Sequence, residues 1–133
     1  MFNALRIKQE RRRRRIKRVR RVVVGTESVP RLAVRIQNRN FWAQVINDQT
    51  GCTLLGSSSM HFLKKQHEKD HQQLSYGNRE AVQLFAEAFG KQLVKLEVKR
   101  LVFDKHGHTY NQKKKVPGKV ELFANIIRKY VTF

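Results

Sequence analysis

The run from Arg11 to Arg21, RRRRRIKRVRR, sets nine guanidinium or ammonium groups in eleven positions, and it limits the fold of the whole chain. Five consecutive arginines repel one another across a few ångströms. Alone, the run is held extended or as a frayed helix paired with solvent ions, and it orders on a partner. That partner must be a polyanion. Arginine outnumbers lysine here, which favours planar, bidentate capture of phosphate and stacking on bases over the diffuse attraction of ammonium groups. The expected partner class is nucleic acid, and RNA in particular.

Charge elsewhere agrees. At 133 residues the chain is one modest domain plus a tail. Residues 1–21 hold eleven bases and one acid, which leaves the body at +9 of the formal +19. A basic body implies that the fold itself meets phosphate. The single cysteine, Cys52, excludes an internal disulfide and fits a reducing compartment, where it reads as a small residue near a strand start. No window reaches the roughly 18 apolar residues of a membrane span, and no secretory h-region follows the basic start, so the chain reads as soluble. The start is too rich in arginine and too poor in serine for an organellar presequence. Ile16, Val19, Val22 and Val23 make too thin a stripe for a membrane-surface helix and read as an anchor into the domain.

Taken in order, Gly25 to Pro30 (GTESVP) is a hinge between tail and body, with Gly25 free to take positive φ and Pro30 ending any helix. Leu32, Val34 and Ile36 alternate with Arg31, Ala33 and Arg35, the period-two pattern of a half-buried strand whose other face carries guanidinium groups toward a ligand. The turn Gln37 to Asn40 leads to Phe41 to Ile46 (FWAQVI), read as a more fully covered strand with Trp42 in the core rather than as a stacking platform. Asn47 to Gly51 is a second turn and Cys52 to Leu55 a third strand, so these three form an antiparallel meander. The segment Ser57 to Tyr76 has little pattern beyond a short helix. Asn78 is an N-cap with Glu80 in the first turn, and Val82, Phe85, Phe89, Leu93 and Leu96 then follow one helical face. Arg100 to Phe103 is a fourth strand, reached through that helix and hence in a parallel or mixed pairing. Val120, Phe123, Ala124, Ile127 and Val131 mark a second amphipathic helix after Pro117 and Gly118. The predicted fold is α/β: a small single domain, a mixed sheet from the meander plus a fourth strand, two amphipathic helices on it, and a basic tail over residues 1–24.

His67, Glu68 and His71 spell H-E-x-x-H, which on a helix puts two imidazoles on one face for zinc. The flanks here are Lys64, Lys65, Gln66, Lys69, Asp70, Gln72 and Gln73, and no third ligand is assigned, so the segment reads as a solvated polar helix or loop. In the loop Asp104 to Pro117, Tyr110 and the imidazoles of His106 and His108, flanked by Lys113, Lys114 and Lys115, offer stacking and charge to RNA, with a solvated basic loop as the alternative.

A family resemblance rests on segments in order: Pro30-Arg31-Leu32-Ala33-Val34, Asn38, Phe41 to Ile46, Gly51, Thr53-Leu54, Ser57 to Ser59, Gly77-Asn78 with Glu80-Ala81, Val102 to Lys105 with Gly107 and Tyr110, Gly118-Lys119-Val120, and Phe133. Over about residues 5–133 the chain resembles the bacterial-type large-subunit ribosomal protein family L-eighteen. The resemblance implies a domain that binds 5S ribosomal RNA and helps attach it to the 23S-type RNA in the central protuberance, beside ribosomal protein L-five. It implies a ribosomal location, cytoplasmic or organellar, and no enzyme activity, cofactor, metal, membrane or small-molecule substrate. Carried over, it marks as RNA-binding Arg11, Arg12, Arg13, Arg14, Arg15, Lys17, Arg18, Arg20 and Arg21 in the tail. On the first strands and their turn it marks Arg31, Arg35, Asn38 and Gln44, and the turn neighbours Arg39 and Asn40 are expected to bind RNA with them. Tyr110, Gly118 and Lys119 match the family's later loop only in part: its histidine is absent and Asn111 to Pro117 interrupt it, where Lys113 to Lys115 are the substitute contacts, and Lys105 and His108 are expected to bind RNA beside it. The alternative is a non-ribosomal basic RNA-binding protein or RNA chaperone.

Overall fold

Two strands with opposite environments on their two faces organise the body. In the computed structural model, which describes residues 2–66, 76–106 and 118–133, β1 (Arg31–Gln37) pairs antiparallel with β2 (Asn40–Asn47), and β2 pairs antiparallel with β3 (Cys52–Ser58). β4 (Val102–Asp104) runs parallel to β1, giving a mixed sheet in the order β3-β2-β1-β4. A parallel neighbour needs a long crossover, and α3 (Arg79–Lys95) supplies it. The register sets Leu32 against Val45 and Val34 against Ala43 on one face, and Arg35 against Trp42 and Ala33 against Gln44 on the other.

The apolar face is covered by α3 and α4 (Lys119–Ile127). α3 starts where Asn78 accepts a hydrogen bond from the Ala81 N–H at 2.8 Å, which satisfies one of the free donors of its first turn. Val82, Phe85, Phe89 and Leu93 are then buried at helical spacing, each worth about 1.5–3 kcal/mol in removed apolar surface. Leu96, expected on that face, is the C-cap and half exposed, because the helix ends one residue before it. Phe123 of α4 sits among Phe41, Phe85 and Phe89, with ring centroids 4.9, 5.9 and 5.9 Å away. Val131 is buried just beyond the end of α4, and Phe133 stacks on Phe103 at 5.5 Å.

α2 (Ser59–Gln66) follows directly from β3, where the sequence suggested a short helix. The segment holding His67, Glu68 and His71 lies outside the described residues. Among those described, no three His, Cys, Asp or Glu residues come together as a metal site, and no helix is long and apolar enough to cross a membrane. The N-terminal segment is helical: α1 (Phe2–Val22) carries all the bases of the Arg11 to Arg21 run.

Candidate nucleic-acid interface

α1 is about 31 Å long at 1.5 Å per residue. Its side at Arg12, Ile16, Val19 and Val23 is half buried, and the spacing 4, 3, 4 is a single helical face. Val22 was expected in this anchor but is 84% exposed, because it lies about a quarter turn away. Arg11, Arg13, Arg14, Arg15, Lys17, Arg18, Arg20 and Arg21 are exposed. The exposed Arg6–Glu10 pair, at 3.6 Å, adds little.

The helix joins the body through Gly25, which takes no positive φ, contrary to expectation; among described glycines that conformation belongs to Gly51. Gly25 is needed for a close approach instead. A Cβ there would collide with the Ile46 carbonyl and stand 2.5 Å from the Arg31 nitrogen. The Gly25 N–H donates to the Asp48 carboxylate at 2.7 Å, and the Asp48 N–H donates back to the Gly25 carbonyl at 3.0 Å.

Asp48 also receives Arg31 in a bidentate pair, both bonds 2.9 Å, while the third guanidinium nitrogen donates to Asp104 at 2.8 Å. Arg31 is 6% exposed and Asp104 fully buried. Arg31, expected to contact RNA, is therefore a buried strut: its charge is consumed by two carboxylates brought in by a turn and by β4. Hydrogen bonds from Arg31, and then from Gly25, hold the Asp48 carboxyl below its usual range, and the same bond to Asp48 raises Arg31. Asp104 further accepts from the His106 N–H at 2.9 Å.

Asn40 is likewise buried. Its side-chain oxygen accepts from the N–H of Phe41 and of Met60, at 3.0 and 3.1 Å, tying β2 to the start of α2. A group so occupied is withdrawn from RNA, which corrects its expected role. Asn38 and Arg39, at the β1–β2 turn, are exposed.

The outer sheet face carries Arg35, Gln37, Trp42 and Gln44, all exposed. Trp42 is 40% exposed and not in the core, because it sits in phase with Gln44 and opposite Arg35. Its indole N–H donates to the Gln37 carboxamide at 3.2 Å. With Arg20 from α1 and His106, these residues line a cleft of about 320 Å³. Burial lowers the His106 pKa, opposed by Asp104 and reinforced by nearby arginines, which favours the uncharged imidazole. Gln37 was absent from the expected site, Trp42 was expected in the core, and His106 was expected only as a stacking group of its loop, not on the sheet face. The polar Gln44 two residues after Trp42 was the signal that both share an outward face.

Lys105 is exposed after β4, whereas Lys119 opens α4 in the layer on the opposite side of the sheet and does not join this face. His108, Tyr110 and Lys113 to Lys115 lie outside the described residues.

A cationic helix beside the polar, aromatic face of a half-covered mixed sheet defines a small α/β protein with a strongly basic surface. The family described as ribosomal L18 of archaea, bacteria, mitochondria and chloroplast matches residues 6–130. The chain is 40% identical over 121 residues, 91% of each chain, to the large ribosomal subunit protein uL18 of Mesoplasma florum. It is 32% identical over 124 residues, 93% of each chain, to uL18 of Aquifex aeolicus. It is also 32% identical over 111 residues to uL18c of Oryza sativa subsp. japonica, covering 84% of this chain and 60% of that one. The chain belongs to the ribosomal L18 family.

Proposed function

We propose that the chain is a structural constituent of the large ribosomal subunit that binds 5S rRNA and helps attach it to 23S-type rRNA in the central protuberance, beside the protein L-five. The observation that carries this is α1: eleven bases and one acid on a helix with one side half buried. Such a helix lays its arginines along a phosphate backbone, and affinity comes largely from released counterions. Specificity comes from fit, since a folded RNA presents a fixed array of phosphates and unstacked bases to a rigid sheet face. The role is structural, with no chemical step to perform.

Competition binding on labelled 5S rRNA against excess transfer RNA, at two salt concentrations, tests the reading. Binding should survive the competitor, with log K falling by roughly 0.7–0.9 per phosphate contact per decade of salt. Equal displacement by transfer RNA would reduce the chain to a plain polycation and favour a general RNA chaperone.

A further inference from the structure

The cleft on the outer sheet face has a composition unlike that of the helix beside it. α1 offers charge alone, whereas the cleft combines an indole, two carboxamides and an imidazole with the guanidinium groups of Arg20 and Arg35. Its volume of about 320 Å³ lies at the small end of ligand clefts, which run roughly 300–1,000 Å³. Neighbouring positions leave it open: Ala33 is paired with Gln44 on one side, and Gly56, which has no side chain, is paired with it on the other. Among the described residues, the carboxylates of Asp48 and Asp104 nearby are both bonded to Arg31, which cancels one of their two negative charges, and Arg20 and Arg35 at the cleft outweigh the one that remains. The Trp42 N–H is already bonded to Gln37, which leaves the ring to act through its π surface rather than as a donor.

We propose that this cleft receives one unstacked base of the bound RNA, with the base on Trp42, its edge on the Gln44 carboxamide, and its flanking phosphate between Arg20 and Arg35. This rests on the RNA-binding reading above and adds a single-nucleotide site to it. Planar aromatic stacking suits any base, while the carboxamide supplies both a donor and an acceptor for a base edge. Arg20 belongs to α1, so the site is completed only when the helix lies along the body. Phosphate capture by the helix and base capture by the sheet are therefore coupled through one residue.

Trp42 is the sole tryptophan of the chain, so its emission reports this site alone. The full chain is titrated with 5S rRNA, with binding followed independently by anisotropy of end-labelled RNA. We expect Trp42 emission to be quenched with the same midpoint and its acrylamide access to fall. Trp42→Phe should bind nearly as the parent, whereas Trp42→Leu, apolar but without a π surface, should lose roughly 10- to 100-fold with an unchanged salt slope. If anisotropy shows binding while Trp42 emission and acrylamide access stay unchanged, no base occupies the cleft. Equal affinities for Trp42→Phe and Trp42→Leu, with weakening only in Arg35→Ala, would mean that the cleft holds a phosphate, and would overturn the proposal. Absence of 5S rRNA binding in the anisotropy arm would instead overturn the RNA reading itself.

Discussion

Replacing Arg31 by methionine should destabilise the fold severely, with any loss of RNA binding following from that. The Asp104 carboxylate is fully buried, and Arg31 is its ion-pair partner at 2.8 Å. Removing one member of a buried pair leaves an uncompensated charge, at about 3–5 kcal/mol. Asp48, whose side chain is 28% exposed, is partly rehydrated and adds about 0–1 kcal/mol. A domain of this size has a total stability of about 5–15 kcal/mol, so the loss is a large fraction of it. At about 3–5 °C per kcal/mol for a chain of this length, the melting temperature should fall by roughly 10–30 °C. Urea and thermal unfolding, read by the near-ultraviolet signal of the aromatic core, measure this. Arg35→Met, at an exposed position on the same face, is the control and should stay within about 0.5 kcal/mol. Combining Arg31→Met with Asp104→Leu should recover part of the loss, since the orphan charge is then gone. If Arg31→Met melted within about 2 °C of the parent yet bound 5S rRNA weakly, the buried-strut reasoning would be wrong and Arg31 would be an RNA contact after all.

Gly90→Ala, in α3, should destabilise despite the better helix propensity of alanine. The new Cβ would meet the root of the Tyr130 ring at 2.7 Å, and overpacking of about 1–3 kcal/mol exceeds the roughly 1 kcal/mol gained; a melt no lower than the parent's would count against it. For pH, His106 favours its neutral form in the folded state, so its contribution is complete above its ordinary value of 6.5 and is lost as pH falls toward its lower folded value. Asp48, also lowered, contributes above its ordinary 3.8 and is lost as pH falls through its folded value. Stability should thus decline in two acid steps, and a proton NMR titration placing the His106 midpoint at or above 6.5 would refute the first.

Much of the candidate site was legible along the chain, because charge and period-two alternation are local properties. The dense arginines of α1, the outward phase of Arg35 and Gln44, the Asn78 cap, and the apolar faces of α3 and α4 follow from residue type and spacing alone. Alternation also put Arg31 on the same face as Arg35, and there it stopped being informative. What separates the two arginines is the arrival of Asp48 and Asp104, 17 and 73 residues further on, at one guanidinium and not the other. Asn40 was withdrawn in the same way by Met60, 20 residues ahead, and Gly25 was required by the approach of the Ile46 and Arg31 backbones rather than by its own φ. Trp42 was misplaced because a run of apolar residues resembles a covered strand until the helices are known to lie on one face only. The sequence by itself determined which residues carry charge and where side chains alternate along the first strand. The tertiary structure alone decided which of those charges are neutralised inside the fold and which remain exposed, because that depends on non-local partners that no local pattern specifies.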